Sequence, residues 1–456
     1  MNDSRTQRLC EEKIGSLLVQ YAGPAIAGLV VFGIQTLVGN ILVGRYLGTL
    51  ALAGYTVANS VAMVVLSCGL LLGTGSSIHI AMHLGAGRKA AAQDIFSAAC
   101  SLCVLGGGGL SLLGLLFLKP MLIAFGGAGD VLAAATDFTW VFLLGCCPFL
   151  LNMVFGHALR ATGYPMKALV ANYLSLLLNI GLMLLFVFVF SLGLEGIAGA
   201  NILSSLVIFL WLAGHFWGRG TAVRIQLNGF RQKGQSIRAI LKTGFPTFAR
   251  QILMPVVAIL SNHIAMSLGG EAAVAVKGVV VTTYFFLIMP VQGIGMGMQP
   301  IVSYNFGAGK IARVLRVVRL GLVGSCAISL VEMLLVLPFR ERIAGFFLAG
   351  QSGLTASAGL GILLALSVFP IAGVQYIGIN AFQSMGRESL ALAASISRSL
   401  LSAVLIVVLS SFWGMNGLFA GGAVCDLVMA VVIGGLLWVQ HRKARFSGPA
   451  VCPQQT

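Results

Sequence analysis

Three ionisable side chains stand well inside long apolar runs of this sequence: Arg250, Glu332 and Asp426. A charge carried into hydrocarbon costs about 2.5–3.5 kcal/mol on insertion scales, so a run that keeps one implies a partner, a watery cavity or a use. Arg250 lies about ten residues into the run 240–266, and Asp426 about ten into the run 416–440. Helix rise then puts both roughly 15 Å deep, near the middle of a core about 30 Å thick. Equal depth lets the two meet, which makes Arg250 and Asp426 the leading candidates for handling an ion. Asn40 and Asn179 join them as neutral amides that can coordinate or hydrogen-bond but cannot take up a proton at ordinary pH. Gln35, Gln251, Gln292, Gln299, Tyr304, Asn305 and Gln383 offer uncharged donors and acceptors that either face a cavity for a cargo or join neighbouring helices.

Other chemistries fail on spacing or context. His79 and His83 are four apart, as a helix-borne metal pair requires, but Ile80 stands where a zinc protease places its glutamate, and we expect no metal. Cys100 and Cys103 have a redox spacing without the strand-helix context that gives it meaning, so they read as small buried hydrophobes. No phosphate-binding G-x-x-x-x-G-K-[ST] loop occurs, which argues against an ATP-driven pump on this chain. Carboxylates are too sparse for an acid/base pair, and an enzyme is not expected.

The elements that must position these residues are membrane helices. Of 456 residues, 58% are hydrophobic and 9% charged, against roughly 45–50% and 25% in soluble domains. The net charge of +16 lies in short segments between apolar runs rather than on one face, so nucleic acid is not an expected partner. Spans are expected near 16–44, 51–82, 93–118, 132–158, 167–190 and 196–217, then near 240–266, 274–304, 315–338, 355–382, 389–411 and 416–440. With the N-terminus inside, 22 of the 28 Lys and Arg, Arg398 among them, are assigned to the cytoplasmic side, five to the outside and one to a span. Both termini are then cytoplasmic.

A repeat organises the whole. The Gly-Ala-Gly corners at 85–87 and 307–309 set an interval that Pro24/Pro246, Gly48/Gly269, Gly163/Gly386 and Gly196/Gly417 reproduce to within one position. Such a register implies duplication of a six-span unit, and an even span number makes the two units parallel. We therefore expect an all-α membrane protein of twelve transmembrane helices in two parallel six-helix repeats. The first bundle is expected over 1–221, with a basic cytoplasmic linker and the second bundle over 222–456. Prolines within the runs favour kinks, and the 59 glycines favour close helix packing.

Four segments at matching span ends resemble the multidrug and toxic compound extrusion (MATE) transporters, bacterial members above all. They are Val43-Gly44-Arg45-Tyr46-Leu47-Gly48, Leu159-Arg160-Ala161-Thr162-Gly163-Tyr164-Pro165, the run from Gln299 to Gly309, and Phe382-Gln383-Ser384-Met385-Gly386. The resemblance implies two bundles facing each other in a V around a central cleft. It further implies export of amphiphilic or cationic organic compounds by proton- or sodium-coupled antiport in the cell (inner) membrane. No cofactor is implied beyond the ion gradient, and membrane lipid and a small organic substrate are the expected partners of a monomer. Two departures bear on coupling: the family's usual first-half aspartates fall here on Gly39 and Met183, whereas Asp426 matches an acid common in the twelfth span. The alternatives are a flippase for a lipid-linked precursor, from the same superfamily, and a non-transporting membrane sensor or scaffold.

Overall fold

The computed structural model describes residues 3–218, 221–225, 234–348 and 352–446. In chain order the helices are α1 (Asp3–Glu11), α2 (Ile14–Leu42), α3 (Gly48–Gly85), α4 (Lys89–Leu116), α5 (Leu118–Ala124), α6 (Gly129–Leu144), α7 (Cys146–Ala161), α8 (Pro165–Leu184) and α9 (Gly193–Trp217). The second half follows with α10 (Gly234–Gly307), α11 (Ile311–Val336), α12 (Arg340–Phe347), α13 (Ser352–Leu366), α14 (Phe369–Ser384) and α15 (Glu388–Phe446).

Three continuous helical stretches, of 72, 74 and 53 residues, are far too long for one crossing, since 74 residues of straight helix would run roughly 110 Å. Each doubles back at a glycine. In α10 the break is at Gly269 and Gly270, the latter at φ 62°. The Lys277 ammonium beyond it donates to the Ala258 carbonyl at 3.2 Å and to Asn262 Oδ1 at 2.5 Å. A straight helix would hold residues 262 and 277 roughly 22 Å apart. In α15 the break is at Gly414 (φ 57°), and Arg398 reaches Asp426 across it. Between α2 and α3 a short π-helical turn ends at Gly48 (φ 90°), which brings Tyr55 back beside Gly39. Two further crossings are bent pairs, α6 with α7 at 58° and α13 with α14 at 50°. The bends have a common cause. Pro148 and Pro370 stand in the first turn of α7 and α14, where a missing N–H stops the preceding helix from running on. With the hairpins opened out, the described residues hold twelve crossing segments, six in each half.

The repeat is written in the backbone. Positive-φ glycines recur as Gly48 and Gly270, Gly87 and Gly309, Gly163 and Gly386, Gly193 and Gly414. At the Gly-Ala-Gly corners the glycine frees the left-handed conformation that lets Arg88 N bond His83 O (2.8 Å) and Lys310 N bond Asn305 O (2.9 Å).

Two compact units result. One comprises 1–12 and 27–248, the other 13–26 and 249–456. The start of each half's first crossing helix, in α2 and in α10, thus belongs to the other unit, and Pro24 and Pro246 stand two or three residues before each handover. The segment 234–239, ahead of the span expected near 240–266, is already part of α10, and Ile240 is fully buried. Within the linker, 219–220 and 226–233, with Arg219, Arg231 and Lys233, lie outside the described residues. The residues 221–225 return to the first unit, where Arg224 N and the Gln93 side chain bond at 2.7 Å.

In the first unit α3 packs on α7, α6 and α4, and Phe96, Phe155 and Phe216 form an aromatic cluster with centroids 4.9–5.8 Å apart. The second unit builds its core from α10, α13, α14 and α15, around residues such as Val291, Phe369 and Ala372.

Candidate functional site

Four helical segments of the second unit converge on Asp426, which is 3% exposed. Tyr284 Oη from α10 donates to its Oδ2 at 2.5 Å, and Gln375 Nε2 from α14 donates to Oδ1, also at 2.5 Å. From the first limb of α15, Arg398 Nη2 reaches Oδ1 at 3.1 Å. Arg398 Nε also donates to Gln375 Oε1 at 2.9 Å, so arginine, glutamine and aspartate close a ring of hydrogen bonds. Asp426 faces the interior because only there do three donors offset the removal of its charge from water.

Arg398 is a correction to the charge assignment. It lies ten residues into α15 and is packed against Asp426, not in a cytoplasmic loop. Lys277, assigned to the outside, is likewise buried, at 6% exposure. With the N-terminus taken as inside, the expected count becomes 21 inside, four outside and three within spans. Arg250 does not pair with Asp426. Its guanidinium instead lies 5.9 Å from the centre of the Tyr376 ring, with that of Arg398 5.4 Å from the same ring. Depth along a helix is readable from sequence, but azimuth is not, and azimuth gave the pairing to Arg398. Glu332 stays half-buried on α11, with Oε2 buried and unbonded.

The first unit contains a neutral counterpart. Gln35 Nε2 donates to Asn179 Oδ1 at 3.0 Å, and Asn179 Nδ2 donates to Asn201 Oδ1 at 3.0 Å. Asn179 is fully buried, while Asn40 lies exposed on α2. Gly39 and Met183, which stand where the resemblance places acids, are neighbours: a Cβ on Gly39 would lie 3.6 Å from Met183 Cε and 3.2 Å from Tyr55 Oη. A tyrosine hydroxyl and a thioether fill the space between α2, α3 and α8, with no carboxylate in that contact. Replacement of Asn179 by alanine will strip two half-buried amides, Gln35 and Asn201, of a partner. It should lower thermal stability by about 1–2 kcal/mol in detergent, whereas Asn40→Ala should stay within about 0.5 kcal/mol. Equal melting shifts for the two variants would contradict this arrangement.

The remaining polar candidates divide. Gln299 is buried on α10 and donates to Asn380 Oδ1 at 2.7 Å. Asn305 is spent on the corner: its Nδ2 bonds the Ile301 carbonyl at 2.8 Å and its Oδ1 accepts from Arg313 Nε at 3.1 Å. Tyr304 and Gln383 are buried at the ends of α10 and α14, and Gln251 and Gln292 are partly exposed. His79 contacts Thr243 Oγ1 at 2.9 Å, which joins α3 to the leading segment of α10. Sequence reading overlooked Tyr284, Gln375 and Tyr376. A signal existed for Gln375 alone, an amide between Pro370 and Gly378 in an apolar run.

Comparison with known proteins gives the site its setting. The MatE family model matches twice, over 24–185 and 246–408, so its two copies begin at Pro24 and Pro246, the interval of the glycine repeat. The multidrug export protein MepA of Staphylococcus aureus (strain MSSA476) is 20% identical over 441 residues, covering 95% of this chain and 96% of that protein. MepA of Staphylococcus saprophyticus is 25% identical over 378 residues, with 81% and 80% covered. Among solved structures, a MATE in complex with MaL6 superposes with a TM-score of 0.90 at 23% identity, covering 95% of this chain and 97% of that one. A MOP superfamily transporter from Pyrococcus furiosus, described as having a binding pocket of reversed polarity, gives 0.86 at 23% identity, with the same coverage. These structures share the fold, and the doubled family match spans most of the sequence. The chain is a multi-pass membrane transporter, not an enzyme, and it belongs to the MatE family.

Proposed function

We propose that this transporter exports amphiphilic organic compounds, cationic ones among them, in exchange for protons or sodium ions, with the ion-responsive step at Asp426. One observation carries the reading: the second unit holds a buried carboxylate contacted from three other helical segments, while the corresponding chemistry of the first unit is neutral. A carboxylate bonded by side chains of different segments can translate a change in its own ligation into a change of helix packing, because each donor it releases frees another segment. The names of the staphylococcal relatives support drug-like cargo. The residual excess of Lys and Arg supports cytoplasmic termini in the cell (inner) membrane.

The test is efflux of an amphiphilic dye from vesicles containing the purified protein, with a proton gradient and a sodium gradient imposed separately. Export under one gradient and not the other is expected. Movement of a fluorescent lipid in place of the dye would favour a lipid-linked precursor flippase. No flux under either gradient would favour a membrane sensor or scaffold.

A further inference from the structure

We propose that the second unit carries a binding site for a single organic anion, a carboxylate above all, built from Arg250 on α10 with the Tyr376 ring and Arg398. Two guanidinium groups approach one tyrosine, at 5.9 and 5.4 Å from its centre, so a single ring has two cations beside it. One carboxylate, Asp426, answers them, and it is bound to Arg398. Among the described residues Arg250 has no ion pair, and the groups that act on its charge are the Tyr376 ring and the like charge of Arg398. The cluster therefore holds one positive charge in excess.

An arginine in a helical bundle without a counter-charge is costly, and cation–π contact recovers only part of that cost. Arginine is also the side chain whose planar fork best matches a carboxylate, so the missing partner is a planar anion that lies beside Tyr376 and takes two hydrogen bonds. Arg250 is partly exposed, unlike Asp426, so an incoming ligand can reach it. The ligand class is an amphiphile with one carboxylate, zwitterions included. This rests on the transport reading and adds carboxylate-bearing amphiphiles to its cargo.

A matched pair tests it: dansylglycine, which bears a carboxylate, and dansylglycinamide, which differs by that charge alone. Binding to the purified full chain in detergent is read from dansyl fluorescence, and export from vesicles is measured in parallel. The acid should bind at least about tenfold more tightly than the amide, Arg250→Gln should erase that preference without weakening the amide, and Arg250→Lys should keep part of it. Arg250→Lys also serves if the glutamine variant fails to fold. Equal binding of acid and amide to the parent protein, or an undiminished preference in Arg250→Gln, overturns the site. Preference without any export under either gradient keeps the anion site and removes the transport reading, while export of both probes without preference does the reverse.

Discussion

Asp426→Asn combined with Arg398→Gln will fold nearly as well as the parent protein and will export at least about tenfold more slowly per folded molecule. The single Asp426→Asn change strands the guanidinium of Arg398, and breaking a buried pair from one side costs about 3–5 kcal/mol, moderated here because Arg398 retains 23% exposure. Lower abundance of the single variant is therefore expected and says nothing about coupling. Removal of both charges lifts that penalty. Tyr284, Gln375 and the two new amides can still exchange neutral hydrogen bonds, so the four segments stay together. What the double variant lacks is a group whose charge state or ligation an entering ion can change. Flux per folded transporter, set against the melting temperature of each variant, separates the two effects. Normal flux from the double variant would confine the ring to a structural role.

The contrast between the two units shows where sequence reading reached and where it stopped. The repeat, the span number and the turning points were legible because they rest on local chemistry. Glycines that adopt positive φ, prolines that open α7 and α14, and apolar runs of crossing length all announce themselves in one dimension. The interior location of Asp426 follows from the same logic, since lipid offers an aspartate no donor. Its partner did not follow. Arg398 sits among Ser, Ile and Leu residues in a run with a modest apolar signal and another basic residue, Arg387, at its start. Charge asymmetry alone assigned it to the loop. Likewise Asn40 and Gln35 are equally plausible partners for Asn179 by type, and only the rotation of α2 hands the bond to Gln35. The exchange of leading segments between the units was illegible for a different reason: it depends on which helix each short segment packs against, and small residues fit many partners.

That exchange yields the second large expectation: Gly244→Val will remove most of the folded protein, and Gly244→Ala will destabilise it by about 1–3 kcal/mol. The leading segment of α10 crosses α3 backbone to backbone. A Cβ on Gly244 would run into the Leu71 carbonyl oxygen, and one on Gly75 into the Ile240 carbonyl oxygen. Neither obstacle is a flexible side chain, so a methyl group can be accommodated only if the helices part, as overpacking of a close contact requires. Separation would also break the bond between His79 and Thr243, one turn further along α3. The second unit repeats the arrangement at the equivalent positions of its own half, where Gly293 and Gly297 would press on Ile26 and Ala22 of α2, so Gly297→Ala should behave alike. Gly156→Ala is the control: nothing lies within 4 Å of its Cβ position, and alanine in a helix interior gains up to about 1 kcal/mol over glycine. Melting temperatures in detergent, with the monodisperse fraction after solubilisation, measure all four variants. The crossing is the cause only if Gly244→Ala and Gly297→Ala fall while Gly156→Ala holds or rises; a common shift in all three alanine variants would trace the loss to helix propensity or to general glycine chemistry instead.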